Sequence, residues 1–156
     1  MEEKNVSHDT LSKSKTLEEI HLAFMRLNAA LHTFSSSVSA DTKLTLSEIV
    51  AAEHLRLDGP LTPKELARRV QIGSGGTTAI IDRLEGRGFA ERIRHPTDRR
   101  SVLVRLVEQT GETVQQPLAL QQAVYSRLEA LDAAEQKAVL RFLEGVAADV
   151  MQIVER

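Results

Sequence analysis

The charges of this 156-residue chain are unevenly placed. From Lys64 to Arg105 there are ten basic residues: Lys64, Arg68, Arg69, Arg83, Arg87, Arg92, Arg94, Arg99, Arg100 and Arg105. Five acidic residues share that stretch, Glu65, Asp82, Glu85, Glu91 and Asp98, so it carries +5. The remaining ten basic and seventeen acidic residues carry −7, and the chain as a whole −2. A basic middle between acidic arms is an electrostatic footprint for a polyanion. The densest part is Arg94-His95-Pro96-Thr97-Asp98-Arg99-Arg100. Arginines on such a turn suit the negative potential of a nucleic-acid groove. Asp98 would be costly beside phosphate, so it is expected to brace Arg100 or a neighbour.

Other chemistries find no residues to carry them. There are no cysteines, which excludes disulfides, thiol nucleophiles and cysteine-bound zinc. No nucleophile elbow, P-loop or dinucleotide fingerprint occurs, so an enzyme is not expected. His21, His32 and His54, even with Glu18 or Glu53, lack the tight spacing of a zinc site, and neither metal nor cofactor is expected. Aromatic residues make up only 3% of the chain, too few for a base-stacking single-strand binder. No segment approaches a membrane span, and residues 1–15 have no signal-peptide core. A cytoplasmic location without membrane association is expected. The 42% apolar and 27% charged fractions are those of a folded globular protein of about one domain.

The elements that must position the basic stretch can be read from periodicity and punctuation. Leu17, Ile20, Phe24, Leu27, Leu31, Phe34 and Val38 recur at three and four, which predicts a long amphipathic helix over 16–39 after a flexible tail over 1–15. Ser35-Ser36-Ser37 weakens its end. A second helix is expected over 45–57, capped by Thr45 or Ser47. Asp58-Gly59-Pro60 stops it. Thr62, Pro63 and Glu65 are spaced as a capping box opening a short helix with Leu66, Ala67 and Val70 inward. After Gln71-Ile72-Gly73, a further helix runs from Ser74 to about Arg87, with Thr77, Ile80, Ile81 and Leu84 inward. Gly88 ends it as a left-handed cap. The period then changes to two, predicting a β-hairpin from Phe89 to Val107 with a charged tip. The last third is helical again. Pro117 lies near the start of one helix or kinks it, and Asp132 with Glu135 forms a capping box for the last.

Two short helices with a tight connection, followed by a basic hairpin, give the order of a winged helix-turn-helix. The second helix lies in the major groove with its outer face free. Here that face offers Ser74, Gly75, Thr78, Ala79 and Asp82, with Gly76 and Thr77 also assigned to the DNA-contacting set. Small residues let the backbone approach, free amides at the helix start bind phosphate, and Thr78 suits a thymine methyl or a base acceptor. Arg83 serves for phosphate contact or bracing. Arg94, His95, Arg99 and Arg100 complete the expected DNA-binding set. With no long side chain at the front of the helix, the wing and the backbone amides should carry most of the affinity.

The run LARRVQIGSGGTTAIIDRLEGRGFAERIRHPTDRRSVLVRL resembles the MarR family of bacterial transcription regulators. The matching features are Leu66-Ala67, Asp82-Arg83-Leu84, Gly88 before an apolar residue, and Asp98-x-Arg100. Two features depart from the family pattern. The recognition helix opens Gly-Ser-Gly-Gly, so base contacts do not carry over there. The segment after the wing, Leu106-Val107-Glu108-Gln109-Thr110-Gly111, is one residue longer than usual. The resemblance implies a mainly α fold with a small hairpin wing. Residues 16–156 would form a single domain, with 45–107 as the DNA-binding part and 16–44 and 108–156 as dimerisation helices. It also implies a homodimer on a pseudo-palindromic double-stranded site, acting as a repressor and switched by a small anionic or aromatic effector. His32 and His54, beside His21 and Arg56, are the polar groups nearest to where such an effector would sit. The competing reading is a winged-helix protein-interaction module without DNA binding.

Overall fold

The computed structural model describes residues 3–98, 100–108 and 115–154, with side chains from residue 15 onward and from 117 in the last part. The chain divides into two units, residues 1–109 and 110–156.

The first unit opens with α1, Glu3–Thr42. It begins well before Thr16, so the tail expected over 1–15 is helical from Glu3. The physical reason is permissive: residues 3–15 hold neither Gly nor Pro, so nothing stops the helix. The serine run does not end it either. Thr33 and Ser36 donate their hydroxyls back to the carbonyls of Ala29 and His32, four residues earlier. The helix stops where Lys43 turns left-handed, at φ 58°.

Helix α2, Leu46–Asp58, is capped by Thr45. The Thr45 hydroxyl accepts from the Glu48 amide, and the Glu48 carboxylate accepts from the Thr45 amide at 2.8 Å. Helix α3, Pro63–Val70, repeats the device with Thr62 and Glu65. Helix α4, Ser74–Gly86, has Gly73 as its N-cap and no side-chain cap. Gly88 follows at φ 74°, a conformation most residues resist.

Strands β1, Ala90–Arg94, and β2, Val102–Leu106, pair antiparallel, with Ala90 opposite Leu106 and Arg92 opposite Val104. Leu61 adds a bridge to Val104, so the chain enters α3 directly from the edge of this sheet. Ala90 and Val104 are the buried members of the hairpin, while Phe89 and Leu106 are partly buried against the same core. That core also contains Leu44, Ile49, Ala51, Leu55, Leu61, Leu66, Ile80, Ile81 and Leu84.

The second unit holds α5, Gln115–Glu129, and α6, Ala133–Val154. Pro117 lies in the first described turn of α5, where a missing N–H costs little. Asp132 caps α6: its carboxylate accepts from Ala134 and Glu135, and Glu135 accepts in return from the Asp132 amide. Among the described residues, no helix is long and apolar enough to cross a membrane.

Candidate nucleic-acid interface

The outer face of α4 begins with small residues. Ser74, Gly75, Gly76 and Thr78 are exposed. Thr78 returns its hydroxyl proton to the Ser74 carbonyl at 3.1 Å, leaving its methyl and lone pairs outward. Because Gly73 supplies no capping side chain, the amides of the first turn are left for another acceptor. Thr77 takes only the inner of its two expected roles. It is 2% exposed, and both its amide and its hydroxyl are spent on the Gly73 carbonyl.

Arg83 braces the unit from within. Its guanidinium binds the carboxylate of Glu48, which is fully buried on α2. Arg87 stands 3.8 Å from the same carboxylate and also donates to the Lys43 carbonyl. Glu48 thus ties α4 to α2, and Arg87, just after α4, reaches the corner after α1. Burial pushes the Glu48 carboxyl up. The hydrogen bonds from Arg83 and Thr45 and the Arg83 charge outweigh this and hold it below the ordinary value. Sequence reasoning named Thr45 as a cap but missed Glu48; the available signal was the Thr-x-x-Glu spacing.

The wing is organised around His95. Its Nδ1 accepts from the amides of Thr97 and Asp98, at 3.3 and 3.0 Å. Asp98 braces Arg100 through the main chain, its carboxylate accepting from the Arg100 amide at 2.9 Å. Arg94 and Arg100 are exposed, and among the described residues neither has a carboxylate within ion-pair distance. Arg99 lies outside the described residues. Lower on the hairpin, Arg92 clamps β1 to α4 by pairing with Asp82 at 2.8 Å and with Glu85. Arg105 pairs with Glu91 across the two strands.

The residues named for an effector stand apart from this face in their contacts. His32 is exposed on α1, and His54 on α2 is half-buried with Nδ1 3.5 Å from Asp58. Asp58 also receives Arg69 at 2.8 Å. No cluster able to hold a metal ion occurs among the described residues.

The model of the MarR family matches residues 44–102. An uncharacterized HTH-type transcriptional regulator of Mycobacterium bovis is 33% identical over 141 residues, which is 90% of this chain and 92% of the relative. Among solved structures, a MarR family protein from Bacillus stearothermophilus superposes with a TM-score of 0.61 at 24% identity, over 88% of this chain and 97% of its own. NadR, solved in complex with 4-hydroxyphenylacetate, superposes at 0.56 with 22% identity, over 84% and 91%. The matched family segment spans the helix-turn-helix and most of the wing described above. The chain belongs to the MarR family and is a winged helix-turn-helix transcriptional regulator, not an enzyme.

Proposed function

We propose that the protein is a homodimeric repressor that reads a pseudo-palindromic operator and is released by a small effector. In this reading α4 enters the major groove with Ser74, Gly75, Gly76 and Thr78 foremost. The wing brings Arg94, His95, Arg99 and Arg100 to the minor groove or the adjoining backbone. The observation that carries it is the pairing of an uncapped, small-faced helix start with exposed Arg94 and Arg100 at the wing tip, which have no ion-pair partner among the described residues. Arg83 acts as a brace rather than a contact.

Dimerisation is supported by apolar side chains that each unit leaves exposed, among them Leu17, Ile20 and Leu27 on α1 and Leu143, Val150 and Ile153 on α6. An anionic aromatic effector is suggested by the ligand bound to NadR, with His32 and His54 as the residues to test. A coupling of about 1 to 3 kcal/mol between effector and DNA would change affinity roughly 5- to 150-fold, enough for a switch.

The test is a gel shift on the DNA upstream of the protein's own reading frame, with Arg94→Ala/Arg100→Ala as the paired variant. Specific binding by the wild type and a loss of at least about tenfold in the variant are expected. Absence of sequence-specific binding at every salt concentration would count against the reading.

A further inference from the structure

The ten basic residues of the central stretch are not equivalent once their partners are known. Arg69 is held by Asp58, Arg83 and Arg87 by Glu48, Arg92 by Asp82 and Glu85, and Arg105 by Glu91. Moving one of these arginines to a phosphate would give up its carboxylate partner, so the net gain of the exchange is smaller than for a cation without one. Among the described residues, Lys64, Arg68, Arg94 and Arg100 have no carboxylate within ion-pair distance. Two of these four, Lys64 and Arg68, are on α3, outside the set that the wing and the recognition helix account for.

Their placement is specific. Lys64 and Arg68 are four residues apart, so they share one face of α3, and both are exposed. Leu66 projects from the opposite side and is fully buried. The start of α3 lies beside the hairpin. Leu61 exchanges both main-chain hydrogen bonds with Val104 of β2, at 3.0 and 2.7 Å, and α3 begins two residues later. Glu65 lies between the two cations. Its carboxylate accepts from both the amide and the hydroxyl of Thr62, and these hydrogen bonds hold it below its ordinary range. The acidic group on this face is therefore committed to the helix cap. In a helix-turn-helix, the first helix crosses the sugar-phosphate backbone while the second enters the groove.

We propose that Lys64 and Arg68 form a phosphate-binding face on α3. With Arg94 and Arg100 they supply the backbone neutralisation, while Arg69, Arg83, Arg87, Arg92 and Arg105 serve the protein's own carboxylates. The proposal rests on the DNA-binding reading above. It partitions the central positive charge into a part that faces DNA and a part that holds the fold.

The partition is read by the salt dependence of binding, because each phosphate contact contributes about 0.9 to the slope of log affinity against log salt. The full chain is titrated against a fluorescent mixed-sequence duplex of about 40 base pairs, from about 50 to 200 mM salt. Lys64→Gln/Arg68→Gln is expected to lower the slope by about 1.8 per bound protomer. Lys64→Glu/Arg68→Glu should weaken binding further. Arg92→Gln and Arg105→Gln, tested singly, should leave the slope unchanged. An unchanged slope in Lys64→Gln/Arg68→Gln, with wild-type binding intact, overturns the α3 face and leaves the DNA-binding reading standing. A lowered slope in Arg92→Gln or Arg105→Gln overturns the partition. A wild type that binds no duplex overturns the DNA-binding reading and this proposal together.

Discussion

Glu48 is the residue on which the helix-turn-helix turns. A carboxylate with no solvent exposure is costly unless its oxygens are occupied, and here Arg83, Thr45 and the nearby Arg87 occupy them. Glu48→Gln keeps the shape but removes the charge. Because both arginines are half-exposed and can rehydrate, the expected loss is only about 1 to 2 kcal/mol at neutral pH, read by denaturant unfolding. The pH dependence has a definite sign. The native carboxyl titrates below the ordinary 4.5, so around that pH the unfolded chain binds more protons and stability rises with pH. The Glu48 contribution is complete above the ordinary value and is lost as pH falls through the lowered native one. The wild type should therefore converge on Glu48→Gln as the solution is acidified from pH 4.5 downward. A constant gap across that range would refute the assignment. The Thr45-x-x-Glu48 spacing is the only sequence signal of Glu48, and sequence reasoning passed over it. Its partner Arg83 lies 35 residues away, and no local pattern encodes that pairing. The described contacts of the wing tip are local in the chain, His95 with Thr97 and Asp98 and Asp98 with Arg100, which is the kind a sequence can suggest.

At the scale of elements, what could be read was whatever local rules decide. The Thr62 and Asp132 capping boxes, the left-handed Gly88 and the inner face of α4 all follow from spacing. The start of α1 did not, because its apolar period begins only at Leu17 while the helix needs merely the absence of a breaker. Nor did the inward face of the hairpin: Phe89 and Ile93 look more apolar than Ala90, yet Ala90 is the more buried because it faces the crowded junction opposite Leu106. Helix α4 itself invites a test that separates folding from function. Gly75 is exposed in its first turn, and a Cβ there would meet nothing within 4 Å. Gly75→Ala should stabilise the helix by about 0.5 to 1 kcal/mol, raising Tm by roughly 2 to 4 °C. The same methyl projects from the face proposed to approach DNA, so affinity should fall as Tm rises. Gly76→Ala differs, since its Cβ would stand 2.9 Å from the Ile72 side chain, and it should show little or no gain in Tm.

For the whole molecule, the decisive contrast is between the Leu44–Val104 part, which holds the buried core, and helices α1 and α6, which leave many apolar residues exposed. The core of the first unit runs from Leu44 to Val104 and is complete within it. Helix α6 has no buried residue, and Phe142, Leu143, Val150, Ile153 and Val154 are each about half-exposed or more. A face of that composition calls for a cover in water, and in the proposed homodimer a second copy of the chain would supply a matching face by two-fold symmetry. Leu143→Glu/Val150→Glu places two charges on it. The expected result by light scattering is a dimer for the wild type and a monomer for the variant at the same concentration. The Leu44–Val104 core contains neither position, so the near-native helix signal should persist. If DNA is read by two linked wings, the second wing binds at an effective local concentration near millimolar, and losing the link costs about 100-fold or more in affinity for a two-half-site duplex. Affinity for a duplex bearing one half-site should change little. Equal losses on both duplexes would mean that the substitutions damaged the winged unit itself, and an unchanged dimer would remove α6 from the interface.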